Sequence, residues 1–219
     1  MLKIGVLLPS SFEDAGDFLA DARALDAAGA DSLWIDGDGH EPWLVLAAIA
    51  SVTGRARLVA PVSAAREGAS LEGDVRTLDR LSRGRLVLRV DGPSLPDVRE
   101  SLTRANRRQV PVVVEAKEGP GTASPDASVA GLVFACSSPA ACRAMREAMS
   151  HGGAGPASEL WALLPSPQDR AQWNLALREY EEAGATGVLV PAGPRLLDML
   201  RGPGRRAGQL GRREATPQR

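Results

Sequence analysis

The chain has 219 residues, a length suited to one domain with a sizeable core. Its 26 Lys and Arg against 27 Asp and Glu leave a net charge of -1, which excludes a protein held on nucleic acid by bulk charge. The charge is uneven: residues 201–219 carry six arginines against Glu214, so residues 1–200 are net acidic. Apolar residues make up 44% but aromatics only 4%, so Ala, Val and Leu must fill the core through close packing of helices on strands. No apolar run reaches the roughly 18 to 20 residues of a membrane span, and Met1-Leu-Lys-Ile-Gly-Val6 leads straight into a strand. A cytoplasmic protein is therefore expected.

In chain order, short Val-, Ile- and Leu-rich runs predict eight strands, at 3–8, 32–35, 57–60, 85–90, 111–114, 130–135, 159–164 and 187–190. Helical periodicity predicts helices at 14–28, 42–52, 71–81, 95–105, 139–149, 167–183 and 195–200. Gly29, Gly54, Gly84 and Gly184 stand just past four of these, where a positive φ ends a helix. Pro42, Pro139 and Pro167 stand where a first turn tolerates proline.

Strand and helix in alternation imply a parallel sheet, and eight such units imply a compact α/β fold, a (β/α)8 TIM-type barrel. Residues 116–128, rich in Gly, Pro, Ser and Asp, predict that the fifth crossover is reduced to a loop. The expected organisation is one barrel domain over residues 1–200 and a basic, disordered tail over 201–219. The Gly202-Pro-Gly204 stretch in that tail follows no strand, so it is no dinucleotide fingerprint.

Barrel chemistry gathers at the carboxyl ends of the strands. After strand one, Ser11 or Asp14 is expected to cap the first helix. After strand two comes Asp36-Gly-Asp-Gly-His40-Glu-Pro-Trp43, the densest polar cluster in the chain. Asp36 and His40 are the candidate catalytic pair, as groups able to hold or move a proton at the mouth. The structural reading of the same stretch is a helix start, with Asp38 or Glu41 facing the helix dipole and Pro42 in the first turn. A metal-assisted hydrolase using Asp36, Asp38 and His40 is a further reading, although no recognised ligand spacing supports it. Gly193 and Arg195, after strand eight, form a candidate anion seat. Cys136 and Cys142 lie six apart without CxxC or HExxH spacing, so neither structural zinc nor a disulfide framework is expected and two buried thiols are.

Three phrases together resemble the bacterial luciferase-like monooxygenase family: Ala27-Ala-Gly-Ala-Asp-Ser-Leu-Trp-Ile-Asp36, Glu41-Pro-Trp-Leu44 running to Ala50-Ser-Val-Thr-Gly-Arg55, and Thr77-Leu-Asp-Arg-Leu-Ser-Arg-Gly-Arg-Leu86. The resemblance covers residues 1–90 well and the remainder only in outline. It implies a (β/α)8 barrel, a homodimer, and reduced flavin mononucleotide (FMN) or the deazaflavin coenzyme F-420 at the barrel mouth, acting on a small organic substrate. By position it implies Asp36 beside the cofactor ring and Ala60 and Pro61 backing its face; Gly92 at the end of strand four and the anion seat of Gly193 and Arg195 are the further cofactor-binding candidates. The chain departs from the family pattern in two places. Gly37 stands where many members have histidine, and the glycine-rich end of strand four reads Arg89-Val-Asp-Gly92. The missing strand-four glycines and the reduced fifth crossover motivate the alternative, a degenerate barrel that binds a ligand or a partner subunit without turnover.

Overall fold

Short runs of Val, Ile and Leu that end in Pro or Asp become strands, and the Ala- and Leu-rich stretches between them become helices. In the computed structural model the order is β1 (Lys3–Leu8), α1 (Ala15–Ala28), β2 (Ser32–Ile35), α2 (Pro42–Val52), β3 (Arg57–Val62), α3 (Ala69–Leu81), β4 (Leu86–Asp91) and α4 (Leu95–Ala105). Then follow β5 (Val112–Ala116), β6 (Gly131–Phe134), α5 (Pro139–His151), β7 (Glu159–Leu163), α6 (Arg170–Glu182), β8 (Gly187–Pro191) and α7 (Leu196–Leu200). The structure describes residues 1–36, 40–62, 69–91, 93–105, 110–116, 131–134, 138–151 and 159–201. At 69, 70, 101–105, 116, 131–134 and 151 the description is confined to the backbone.

The eight strands pair in sequence order, and β1 pairs with both β2 and β8, which closes the sheet into a barrel. Every pairing is parallel, with Leu7 opposite Trp34 between β1 and β2 and Val59 opposite Val87 between β3 and β4. The crossover between β5 and β6 and the segment after Arg201 lie outside the described residues, so the reduced crossover and the tail belong to neither side of this comparison. Cys142 is a buried thiol on α5, and Cys136 is also outside them. Among the described residues no helix is long and apolar enough to cross a membrane.

Side chains alternate along each strand, so two cores form. The outer core packs strands against helices, with Ile4, Val6, Leu33, Leu58, Leu86 and Val188 meeting Leu25, Leu46, Ile49, Val75 and Trp173. The inner core is a ring of Trp34, Val59, Val87, Val113, Trp161 and Leu189 with Leu7 against it. Two indoles fit inside so small a barrel because glycines make room. A Cβ on Gly187 would lie 2.5 Å from the Trp161 ring, and one on Gly5 would lie 2.6 Å from the Trp34 indole nitrogen. The rings meet edge to face at 5.4 Å, and the Trp34 Nε1–H donates to Ser32 Oγ at 2.7 Å.

Caps set most element ends. Asp14 caps α1 by accepting from the Asp17 N–H at 2.8 Å, and Gly29 ends it at φ 96°. Gly184 and Gly84 also take positive φ, but Gly54 does not. Thr53 ends α2, while the Gly54 N–H donates to buried Asp26 at 3.0 Å. Likewise α6 starts at Arg170 rather than at Pro167, because Asp169 caps it through the Gln172 N–H. A carboxylate that accepts an exposed N–H decides the first turn more strongly than a nearby proline.

Candidate functional site at the barrel mouth

One step along each strand beyond the inner ring, the same alternation carries Pro61, Arg89, Glu115 and Pro191 toward the mouth, with Asp36 just past β2. Arg89 lies at the centre of this layer. Its two terminal nitrogens both donate to Asp36 Oδ1 at 3.0 Å, and one also reaches the Ile35 carbonyl at 3.5 Å. Its Nε stands 3.9 Å from Glu115 Oε2. The Arg89 side chain is 13% exposed, against 45% for Asp36 and 55% for Glu115, so the guanidinium is sunk beneath two more exposed carboxylates. A charge-assisted bond of this kind holds both partners in place. Asp36 Oδ2 takes no hydrogen bond from a described residue.

Beside this row lies a cleft of about 700 Å³ over the carboxyl ends of β1 and β8. Leu7, Leu8, Phe18 and Leu25 line it from β1 and α1, and Pro191, Gly193 and Leu197 from β8 and α7. Among the described residues its polar groups are Ser10, Ser11, Asp21 and Asp36, with no Lys or Arg in the lining. The volume is that of an ordinary small-molecule site.

The sequence-predicted residues divide around this cleft. Asp36 and Gly193 both line it. His40 is exposed and leans on the loop after β1: its ring packs 4.5 Å from Phe12, its Nε2 is 3.4 Å from the Phe12 carbonyl, and its N–H donates to Ser10 at 2.9 Å. Ala60 is fully buried in the outer core, so its methyl group faces the helices rather than the mouth. Pro61 is on the inner side, and its carbonyl accepts from Trp43 Nε1–H at 3.0 Å, tying α2 to the end of β3. Glu41, with Pro42 in the first turn, caps α2 by accepting from the Trp43 N–H at 3.3 Å. Arg195 turns away, donating to the Gln168 carbonyl at 2.7 Å, and the helix it precedes has five residues. Gly92 and Asp38 lie outside the described residues, and among those described no group of three His, Cys, Asp or Glu is placed to hold a metal.

The two residues that break the glycine pattern of strand four behave differently. Arg89 fills the mouth, while Asp91 is exposed and accepts from the Ser94 N–H at 3.1 Å, ahead of α4. Sequence reasoning treated Arg89 as bulk and missed it as the partner of Asp36. The signal was present, since each stands two residues past an inner-ring position, Val87 and Trp34. Phe18, Asp21 and Leu197 were missed because nothing local marks helix residues that wall a cleft.

Residues 2–109, from β1 through α4, match the family model described as luciferase-like monooxygenase. Over that segment, just under half of its length, the chain is similar to the luciferase-like family. No curated protein matches the sequence. Among solved structures, the chain is similar to an F-420-dependent tetrahydromethanopterin reductase from Methanopyrus kandleri, with TM-score 0.68, 13% identity, and coverage of 91% of this chain and 96% of that one. An F-420-dependent secondary alcohol dehydrogenase, solved with an F-420–acetone adduct, gives TM-score 0.70 at 13% identity with the same coverage. A tryptophan synthase chain from M. tuberculosis gives 0.63 at 16% identity, covering 91% of this chain and 90% of that one. Likenesses at such identity show a shared TIM-barrel-like α/β fold, and unrelated chemistries share it.

Proposed function

We propose that the chain is a luciferase-like oxidoreductase of the monooxygenase type, acting on a small organic substrate at the carboxyl end of its barrel, with reduced FMN or coenzyme F-420 as the electron carrier. The observation that carries this is the family match over residues 2–109, which includes β2, β4 and the Asp36 and Arg89 they bring to the mouth. The two F-420-dependent neighbours support the deazaflavin as a candidate beside the flavin. Included in the proposal are a (β/α)8-type barrel with a reduced fifth crossover, a domain over 1–200 with a basic tail, a cytoplasmic location and a homodimer.

The mouth fits part of such a cofactor. The cleft has the volume and apolar walls for a ring system, but its lining offers a phosphate two carboxylates and no cation. When bound, the cofactor supplies the electron chemistry, and the protein binds, orients and excludes water. Leu7, Phe18 and Leu197 keep water off a bound molecule, Asp36 is a fixed hydrogen-bond acceptor, and Arg89 fixes it. His40 stands at the rim, exposed, as a proton carrier.

One observation favours the second reading, a barrel that binds without turnover: Arg89 closes on Asp36 at the place where a cofactor edge would pack. Titration of the full chain with reduced and oxidised FMN and with coenzyme F-420, followed by cofactor fluorescence, separates the two. Saturable quenching by one of them is expected, and no binding of either at tens of micromolar sinks the enzymatic reading.

A further inference from the structure

The cleft has the wrong charge for an anion and the right one for a cation. Among the described residues, Asp21 and Asp36 are its only ionisable lining residues, and Arg195, on the segment between β8 and α7, donates to Gln168 instead. Arg89, the guanidinium that the described residues bring to the mouth, is met by both Asp36 and Glu115. Among the described residues, mouth and cleft together therefore set three carboxylates against one guanidinium. Apolar walls focus the field of such a set, so it concentrates cations and repels anions. Asp36 adds a direction, because Arg89 occupies Oδ1 and no described residue donates to Oδ2.

We propose that this cleft is the substrate subsite and takes a small, mostly apolar molecule carrying one ammonium group. Its hydrocarbon part lies against Leu7, Phe18, Leu25 and Leu197, and its charge is met by Asp36 and Asp21. The proposal deepens the functional reading above by naming a substrate class for the same site, yet binding of such a molecule requires no cofactor.

Calorimetric titration of the full chain with n-hexylammonium, 1-hexanol and hexanoate tests it, each with and without FMN. The ammonium ion is expected to bind at least about fivefold more tightly than the alcohol and the carboxylate least, with the preference shrinking as salt rises. Asp21→Asn is expected to weaken the ammonium ion by about threefold and leave the alcohol unchanged, because only the charge is lost. Glu182→Gln, an exposed change at the carboxyl end of α6 on the other end of the barrel, is expected to alter neither. Hexanoate binding as tightly as hexylammonium, no binding by any of the three, or equal effects of the Asp21 and Glu182 variants overturns the proposal. Ammonium preference without cofactor binding would retain the subsite and sink the oxidoreductase; cofactor binding without that preference would do the reverse.

Discussion

At the opposite end of the barrel from the mouth, Glu159 gathers more partners than any single position suggests. Lys3 and Arg57 both pair with it, Arg57 through two nitrogens at 3.1 Å, and the Trp161 indole donates to it at 2.8 Å. Arg57 also lies 5.5 Å over the Trp161 ring. Burial pushes the Glu159 carboxyl upward, but hydrogen bonds from Arg57 and Lys3, the charge of Arg57 and the Trp161 N–H together outweigh it, and the net shift is downward. A carboxyl lower in the folded than in the unfolded state contributes stability above its unfolded value, about 4.3 for Glu, and loses it as pH falls through the folded value. Thermal melting between about pH 5 and pH 3 should therefore fall more steeply for the native chain than for Glu159→Gln. At neutral pH the variant should be less stable by about 1–3 kcal/mol, since two half-buried cations lose a charged partner. Parallel pH slopes for the two proteins would contradict this. The sequence showed Lys3, Arg57 and Glu159 only as strand-start charges, because nothing local says that three strands 102 and 156 residues apart converge on one carboxylate.

Between elements, Asp26 does for a loop what Glu159 does for the barrel floor. It is buried on α1, and its two oxygens accept from the N–H groups of Gly54, Arg55 and Ala56 at 3.0, 3.1 and 2.6 Å. Arg85 closes the same connection, donating to the Ala56 carbonyl at 2.6 Å and to the Thr53 carbonyl at 3.1 Å. Burial lowers the Arg85 guanidinium from its ordinary value, partly offset by the charge of Asp26. Asp26→Ala takes the acceptor from three N–H donors, of which that of Ala56 is buried, and should cost about 1–3 kcal/mol, seen as a melting temperature lower by roughly 3–10 °C. A loss under about 1 kcal/mol would show that water replaces the carboxylate there. Element existence was legible throughout, and several boundaries coincide with the sequence reading, among them 3–8, 32–35, 42–52 and 95–105. The start of α6 moved for a local reason, the Asp169 cap, and other differences are tertiary. Gly54 serves Asp26 rather than a helix end, and Arg85 leaves β4 to bind the neighbouring loop.

For the molecule as a whole, the proposed homodimer has a candidate face on α2 and α3. Leu44 is 72% exposed and Leu81 51%, and they flank a groove of about 330 Å³ that also touches Ala47 and Thr77. Large apolar side chains left together at a surface favour burial against another copy. Light scattering on the purified chain should give twice the 23.0 kDa chain mass, and Leu44→Arg with Leu81→Arg should return it to the monomer without loss of fold by circular dichroism. A native chain that stays monomeric at tens of micromolar removes the dimer from the reading.

By itself the sequence determined the alternation of eight strands with helices, narrowed the first two helix starts to Ser11 or Asp14 and to Asp38 or Glu41, and carried the family resemblance over residues 1–90. These follow from periods of 2 and 3.6 and from groups a few residues apart, which short-range backbone geometry dictates. Only the tertiary structure decided that β8 pairs with β1, that Gly187 makes room for Trp161, and that Arg89 reaches Asp36 across 53 residues. Those contacts depend on strand register and barrel closure, which no local pattern specifies. The same closure turned Ala60 outward, drew Arg195 to Gln168, and left Asp36 with one oxygen bound and one open beside an acidic, apolar cleft.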